Sequence, residues 1–441
     1  MDQKAHKRAI SAWTMYDWAN SAFATTIMAA VLPVYYTSVA TAGLAPNIAT
    51  AYWGYTSSFS ALLAAIISPI LGAVADFSGS KKKFLTAFMA LGVTGTALLY
   101  FIQSGDWLLA SLFFTFGNIG FAGSLVYYDA LLPHVAGPEE IDQVSSRGYA
   151  MGYIGGGLLL AINLVMIMVL PGLIPGLDTG LMTRLSFVTV AVWWAVFTLP
   201  LLLHVKEPQR RIHPGEENYQ PIQASFHRLG QTFRELGKYR DLAMAMLAFW
   251  VYANGIGTII VMATAYGNEL GFGKTTLIGT LLMVQFLAAP FAILFGRLSR
   301  KIGTKKSIYI SLAIYTLIAI AGFFLYHEWQ FWALGAAVAT VQGGSQALSR
   351  SLIGRLMPKS KSAEFYGFFS VFEKFASILG PFLFGVVSTI VGHSRLSILS
   401  LFVFFLVGML LLTRVDVERG MKAAQEEEQE MVDRQANPGV A

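Results

Sequence analysis

Long uncharged apolar runs recur along the whole 441-residue chain. At a helical rise of about 1.5 Å per residue, each run is long enough to cross a hydrocarbon layer of roughly 30 Å. Only helices or closed barrels satisfy the backbone in lipid, and the runs do not alternate as barrel strands would. The pattern therefore predicts an all-α integral membrane protein with twelve transmembrane helices. The predicted spans cover residues 18–39, 51–75, 84–102, 107–128, 148–170, 185–205, 242–266, 275–295, 307–326, 329–349, 365–391 and 396–413.

The composition agrees with a membrane protein and excludes several other classes. Hydrophobic residues make up 55% of the chain and charged residues only 13%, about half of the usual share of roughly 25%. The chain has no cysteine, which excludes disulfides, thiolate metal sites and cysteine nucleophiles. The net charge of +6 is spread over many short loops, and nucleic-acid binding needs a continuous basic surface. We expect a monomer in a lipid bilayer, with a small molecule and no nucleic acid as its partner.

The basic residues predict the orientation. An even number of spans places both termini on the same side of the membrane. All but four of the 31 Lys and Arg residues lie on that side. The exceptions are Arg184, Lys274 and Arg395 in the opposite loops and Lys374 within a span. The positive-inside rule then places both termini in the cytoplasm, and the lack of an organelle-targeting signal favours a bacterial-type inner membrane.

A polar stretch between the sixth and seventh spans divides the chain into two halves. We expect six-helix bundles at residues 1–205 and 241–414, a central cytoplasmic loop at residues 206–240, and a mobile cytoplasmic tail at residues 415–441. Part of the central loop has helical apolar spacing, which indicates either an amphipathic helix on the membrane surface or a solvated linker helix. Its apolar positions are Phe226, Leu229, Phe233 and Leu236.

A short motif occurs once in each half, in the loop after the second span of that half. The two copies, residues 72–82 and 296–306, have the same spacing and lie 224 residues apart. Glycines would let two helices approach closely at a tight turn, and the lysines would anchor the turn at anionic headgroups. A plain basic hairpin explains the lysines but not the repeated glycines. The shared positions are Gly72, Asp76, Gly79, Lys81 and Lys82 in the first copy and Gly296, Arg300, Gly303, Lys305 and Lys306 in the second.

The first copy resembles the cytoplasmic signature loop of the major facilitator superfamily, although Arg300 replaces the acidic residue in the second copy. The resemblance implies two pseudo-symmetric six-helix bundles and alternating access around a midplane site. Further segments are similar to the vacuole-effluxer-like branch, named for fungal autophagy-linked vacuolar amino-acid exporters and with bacterial members. These segments are residues 16–23, 128–133, 146–153, 342–351 and 380–381. Residues 252–255 depart from the pattern of that branch, because the resemblance implies an acidic residue at this place and the sequence has none there.

Polar and charged residues inside the spans are candidates for the site, because charge in a membrane helix is costly. The strongest signal is Glu373 beside Lys374, about 12 Å into the eleventh span, where Glu373 would suit proton coupling. Asp17, with Asn20 on the same face, could contact a proton, a cation or a substrate amine, or could be a helix N-terminal carboxylate favoured by the dipole. Asn254, Gln342 and Gln346 could bind substrate or hydrogen-bond neighbouring helices. The substrate or coupling-ion candidates are therefore Asp17, Asn20, Asn254, Gln342, Gln346, Glu373 and Lys374.

Asp129 and Arg350 end the fourth and tenth spans and lie 221 residues apart, close to the repeat offset. Related positions in the two halves would bring them together as a cytoplasmic gate, whereas the alternative is that each reaches the interface separately. The gate candidates are Gly72, Asp76, Gly79, Lys81, Lys82, Asp129, Gly296, Arg300, Gly303 and Arg350.

No catalytic motif stands out, so we expect neither an enzyme nor a cofactor or metal. Residues 273–275 resemble the end of a phosphate-binding loop, but Asn268 stands where the first glycine should be and no strand precedes it. The seven histidines lack metal-ligand spacing. The sequence predicts a secondary active transporter of a small polar solute, with amino acids as candidate substrates and protons as the candidate coupling ion. The alternatives are a lipid flippase of the same fold, or a membrane-embedded enzyme or sensor.

Overall fold

The computed structural model describes residues 3–209, 238–391 and 394–436. The regular elements in this range are helical. The amphipathic helix expected around residues 226–236 lies outside the described residues. The helical segments are α1 (Gln3–Ala40), α2 (Pro46–Ser78), α3 (Lys81–Leu98), α4 (Trp107–Val135), α5 (Ile141–Met168), α6 (Thr179–His204), α7 (Arg240–Glu269), α8 (Lys274–Ile302), α9 (Thr304–Phe323), α10 (Glu328–Leu356), α11 (Ser362–Val391), α12 (Arg395–Thr413) and α13 (Val417–Ala436).

The described residues contain 11 helical segments long and apolar enough to cross a membrane. Segment α10, at the position of the tenth predicted span, has 29 residues but is more polar, because its second half carries glutamines, serines and an arginine. The count of twelve spans therefore stays a prediction, whereas the all-helical membrane architecture is what the structure has.

Segment α1 begins earlier than the sequence predicts and is not a uniform α-helix. Helical structure starts at Gln3, well before residue 18. It becomes π-helical over Phe23–Ala30, where the Val31 N–H donates to the Thr26 carbonyl at 2.8 Å, and again over Tyr36–Ala40. A hydropathy pattern locates apolar residues only. It therefore cannot show that the polar first turns of α1 are helical, nor where the α-helix changes to a π-helix.

The described residues form two compact units, and the first contains most of the N-terminal half. In this unit α1 and α3 both pack on α6. Small residues allow the closest approaches: a Cβ at Gly120 of α4 would lie 2.6 Å from the Phe88 carbonyl oxygen of α3, as expected for membrane helices in backbone contact. The first unit comprises Met1–Ser68, Lys81–Tyr128 and Met151–Glu207.

The second unit contains the C-terminal half together with short pieces of the first. Here α8 packs along α10, and α7 packs on α11 and α12. A Cβ at Gly380 would lie 2.5 Å from the Asn254 carbonyl oxygen, so the backbones of α11 and α7 touch at this point. The second unit comprises Pro69–Ser80, Asp129–Ala150 and Pro208–Ala441. Its boundaries differ from the division expected at residue 205, and the two six-helix bundles stay a prediction.

The tail that the sequence predicts to be mobile contains a helix. Segment α13 packs on α7 and α10. Its arginine Arg419 forms an ion pair with Asp241, with Nε 2.7 Å from Oδ2. The charged composition of the tail suggested a solvated segment. In the structure, α13 instead pairs part of its charge with buried residues, and these contacts hold it against α7 and α10.

Candidate functional site

Arg350, on α10, lies at the centre of a buried polar cluster with residues of α4 and α5. Its side chain is 2% exposed, and its Nη1 lies 3.1 Å from Oδ1 of Asp129. Its Nε donates to the Ser145 hydroxyl and its Nη2 to the Ser145 carbonyl, both at 2.9 Å. The guanidinium carbon lies 4.3 Å from the centre of the Tyr149 ring. The structure thus brings together Asp129 and Arg350, and their role as a gate stays a prediction.

A second buried carboxylate, Asp142 at the start of α5, was missed by sequence reasoning. Ser351 and Thr304 each donate to it at 2.6 Å. Arg355 forms an ion pair with it, with Nη2 3.0 Å from Oδ2. These contacts tie α5 to α9 and α10. Asp142 stands in an acidic loop, residues 139–142, and a local charge pattern cannot distinguish a solvated acid from one that distant segments cover.

The first copy of the repeated motif contacts the N-terminus of α11. Oδ2 of Asp76 accepts a hydrogen bond of 2.8 Å from the backbone N–H of Glu364, one of the N–H groups that a helix cannot satisfy itself. A Cβ at Gly72 would lie 2.8 Å from the carbonyl carbon of Ala363, so glycine permits this contact. Gly79 has φ 61°, the left-handed region that favours glycine. Three of the repeated positions therefore have identifiable structural roles.

The second copy of the motif makes an equivalent contact with the start of α5. A Cβ at Gly296 of α8 would lie 2.7 Å from the Cβ of Ser146. Arg300 donates to the side-chain oxygen of Gln143, and Gly303 has φ 91°. Each copy therefore lies against the fifth helix of the opposite half, with a carboxylate in the first contact and a guanidinium in the second. The departure at Arg300 changes the chemistry of the contact but not its place.

Two lysines of the motif have protein partners, and their expected contact with lipid headgroups stays a prediction. The amine of Lys82 donates to the Leu202 carbonyl of α6 at 2.8 Å. The amine of Lys305 donates to the Val415 carbonyl, just after α12, at 2.6 Å. Both cations lie where helix C-termini leave carbonyls without intrahelical donors. Lys81 is 4% exposed, so this side chain is also covered by protein.

Asp17 of α1 lies against aromatic side chains within the first unit. It is 6% exposed, and the Tyr128 hydroxyl donates to its Oδ2 at 2.8 Å. Trp13 stacks on Tyr128 with ring centroids 4.2 Å apart. Because the helix begins at Gln3, Asp17 is several turns from the N-terminus, and the interpretation as a dipole-favoured terminal carboxylate is wrong. Asn20, one turn further along, is 2% exposed.

Glu373 and Lys374 lie about 16 Å into α11, since that helix begins at Ser362. Both side chains are half-buried. Glu373 follows Tyr366 by seven residues, so the two share a helix face about 10 Å apart. The Tyr366 hydroxyl donates to the Arg350 carbonyl at 2.9 Å, which joins the start of α11 to α10, whereas the body of α11 packs on α7.

Two predicted glutamines lie on the same helix face as Arg350. Gln342, Gln346 and Arg350 follow one another at intervals of four residues on α10, a spacing that aligns side chains along one face. Gln342 is 9% exposed. Asn254 of α7 is instead 1% exposed, and its amide donates to the Trp250 carbonyl at 2.6 Å. That bond lies within α7 itself, so both interpretations of Asn254, substrate binding and bonding to a neighbouring helix, stay predictions.

Comparison with known proteins places these features in a family. The profile of a family described as "Vacuole effluxer Atg22 like" matches residues 5–425. The chain is 40% identical over 418 residues to the uncharacterized MFS-type transporter YxiO of Bacillus subtilis, a similarity covering 95% of this chain and 97% of that protein. It is 24% identical over 488 residues to autophagy-related protein 22-1 of Penicillium rubens, covering 89% of this chain and 81% of that one.

Solved structures of transporters share the fold. The proton:xylose symporter XylE has a TM-score of 0.75 at 13% identity, covering 97% of this chain and all of that one. The transporter FucP in its outward conformation has a TM-score of 0.71 at 14% identity, covering 93% and 98%. At these identities the likeness is one of fold, which is that of the major facilitator superfamily.

Proposed function

Because the chain belongs to the Atg22-like vacuole effluxer family within the major facilitator superfamily, we propose that it is a secondary active transporter of a small polar solute that works by alternating access. Amino acids are the substrate class and protons the coupling ion in this proposal. The protein acts as a monomer in a bacterial-type inner membrane with both termini in the cytoplasm. The orientation is supported by the Lys and Arg residues, all but four of which fall on one side of the predicted spans.

The observation that carries the proposal is the ion pair between Asp129 of α4 and Arg350 of α10. These helices occupy the same place in the two sequence halves, so the pair joins one half to the other at equivalent positions. The contact of Asp142 with Arg355 joins the halves again. Polar contacts that can separate are what a transporter needs at an end of the pathway that alternately closes and opens. We call these two ion pairs and the two motif contacts the gate.

The chemistry of the gate suits reversible closure. Desolvating a buried ion costs several kcal/mol, and the attraction within a hydrogen-bonded pair roughly offsets that cost. The Arg350 guanidinium is hydrogen-bonded while buried and would be hydrated when separated from its partners. The two states therefore differ little in free energy, and a bound solute of modest differential affinity can shift the population between them.

Polar side chains along the spans provide a route for a polar solute. The glutamines Gln342 and Gln346 extend the face of α10 that carries Arg350. Glu373 lies on the same face of α11 as Tyr366, about 10 Å further along the helix, and it is the group we assign to proton coupling. Asp17 is buried in the first unit beside the Tyr128 hydroxyl, where a carboxylate can attract the amine of an amino acid.

The test begins with a thermal-shift screen of the purified protein against the common amino acids. A ligand at about 100 times its Kd stabilises the folded state by about 2.7 kcal/mol and raises the Tm. Each amino acid that raises the Tm is then tested for counterflow in proteoliposomes loaded with the same unlabelled solute. We expect at least one to bind and to exchange, and we expect a pH gradient to drive its net movement.

The gate variant Asp129→Asn separates transport from binding. It should keep the ligand-induced rise in Tm while its exchange rate falls, because the ion pair controls closure and not the solute site. Binding without exchange in the unaltered protein would refute the proposal. Movement of labelled phospholipid between leaflets, without amino-acid exchange, would instead support the flippase alternative.

A further inference from the structure

The tail helix α13 lies against the turn between α10 and α11 through a buried cluster of three side chains. Glu427 forms an ion pair with Lys361, with Oε1 2.9 Å from Nζ, and the Lys361 side chain is 4% exposed. The same amine donates to the Tyr239 hydroxyl at 2.8 Å. That hydroxyl in turn donates to the other oxygen of Glu427. A lysine this deeply buried depends on its carboxylate partner, because an uncompensated buried charge is strongly unfavourable.

Additional contacts hold α13 in register with this cluster. Arg419 binds Asp241 through two hydrogen bonds of 2.7 Å. The backbone N–H of Ser360 donates to Glu428 at 3.3 Å. A Cβ at Gly420 would lie 2.5 Å from a methyl carbon of Leu356, so the backbone of α13 lies directly on the end of α10.

The turn held by α13 is the same turn that presents α11 to the gate. Lys361 ends the short 3₁₀ helix Lys359–Lys361, and α11 begins at the next residue. Glu364, three residues after Lys361, donates its backbone N–H to Asp76 at 2.8 Å. Three residues of chain leave little freedom between the two contacts. A displacement of Lys361 toward solvent therefore moves the Glu364 N–H, from which Asp76 accepts its hydrogen bond.

We propose that Glu427 is a positioning residue for transport: through Lys361 it fixes the turn between α10 and α11, so that the N-terminus of α11 meets Asp76 and the gate stays closed. This inference rests on the proposed function, because it assigns α13 a role in the closed state of the gate. Without the Glu427 charge, the Lys361 ammonium is buried without its carboxylate partner and moves toward water. Because this movement shifts the turn between α10 and α11, the closed state of the gate is less populated. The tail helix thereby sets the balance between the closed and open states.

The test uses a single reporter cysteine in a chain that contains no cysteine of its own. Ser146 lies at the second motif contact, away from the tail, and is 1% exposed. In Ser146→Cys, the rate of modification by a water-soluble maleimide measures how often the gate opens. Adding Glu427→Gln should raise this rate about 2- to 30-fold, the range of known coupling along packed networks.

The matched control is Glu426→Gln on the same helix. Glu426 is 63% exposed and contacts only Lys422, at 3.6 Å, among the ion pairs described, so its substitution should leave the labelling rate unchanged. Equal rates in Glu426→Gln and Glu427→Gln would overturn the inference. A lower Tm for Glu427→Gln without faster labelling below the transition would overturn it too, since a purely structural role predicts that result.

Two further variants keep the outcomes distinct. If Glu427→Gln does not fold, Arg419→Gln loosens α13 at a side chain that is 55% exposed, and it should also speed labelling; an unchanged rate there overturns the inference. Asp129→Asn tests the gate itself. If it fails to speed labelling, the gate and the proposed function are refuted. If it speeds labelling while the tail variants do not, only the role of the tail is refuted.

Discussion

Replacing Gly72 with alanine should weaken the contact between α2 and the N-terminus of α11, and so should destabilise the closed state of the proposed gate. A Cβ at this position would lie 2.8 Å from the carbonyl carbon of Ala363, whereas carbon atoms in contact are at least about 3.5 Å apart. The Ala363 carbonyl oxygen lies closer still to that Cβ, so the two backbones must separate by at least about 0.7 Å. The hydrogen bond from Glu364 to Asp76 is now 2.8 Å, and this shift lengthens it to about 3.5 Å, beyond the 2.7–3.2 Å range of a good N–H···O bond.

The expected effect of Gly72→Ala follows from the loss of that bond. A hydrogen bond to a charged group contributes about 1.5–3 kcal/mol, so the balance between closed and open states should shift about 10- to 150-fold toward open. In the proposed open state this contact is broken, so the substitution should leave the free energy of that state unchanged. We therefore expect maleimide to label the Ser146→Cys reporter faster in the Gly72→Ala variant by up to this factor.

The control for this prediction lies on the same helix. Gly54 has no atom within 4 Å of a Cβ built on it, so Gly54→Ala changes the helix propensity equally without creating a contact. The reasoning is refuted if both variants are folded, with Tm values within a few degrees, and label at the same rate. Faster labelling in both would point to a change in α2 itself and not to the contact with α11.

Three further predictions concern Arg350, Glu328 and Glu373. Arg350→Met removes the guanidinium from the partly buried Asp129 carboxylate, so the free energy of unfolding should fall by about 3 kcal/mol and the Tm should fall with it. The double variant Arg350→Met/Asp129→Leu should recover part of this loss. A double variant no more stable than the single one would contradict the pairing of Asp129 with Arg350. The hydroxyl of Thr276 donates to Glu328 and lowers the pKa of that carboxyl from its usual 4.5. Because the pKa of Glu328 is lower in the folded state than in the unfolded chain, the ionised carboxylate stabilises the fold at pH values above its usual pKa. This stabilisation is lost as the pH falls through the lowered pKa, so the Tm difference between the unaltered protein and Glu328→Gln should shrink on acidification. A Tm difference that does not change with pH would argue against the hydrogen bond from Thr276. Glu373→Gln should abolish uptake driven by a pH gradient while exchange at equal pH persists, and pH-driven uptake at the unaltered rate would exclude Glu373 as the proton carrier.

The membrane architecture could be predicted from the sequence because lipid imposes a local rule. Every backbone polar group in the hydrocarbon must bond within its own segment, so each span is recognisable from its own residues. The repeat at residues 72–82 and 296–306 was equally local, and its glycines at Gly79 and Gly303 have the positive φ angles of 61° and 91° that the turn needs. The proximity of Asp129 and Arg350 followed from the same repeat, since related positions in two similar halves can meet.

The tertiary structure alone decided which charges are solvated and which are paired. Asp142 and Glu427 both stand among acidic neighbours in the sequence, a pattern that does not by itself indicate burial. Asp142 is instead covered by residues of α9 and α10, and Glu427 is bound by Lys361 while its neighbour Glu426 is 63% exposed. Burial of a charge depends on partners contributed by distant segments, and those partners leave no periodic pattern beside the residue they bind. The sequence by itself therefore determined the membrane architecture, the repeat and the family, whereas the burial of Asp142 and the contacts of the tail helix arise only when the folded helices meet.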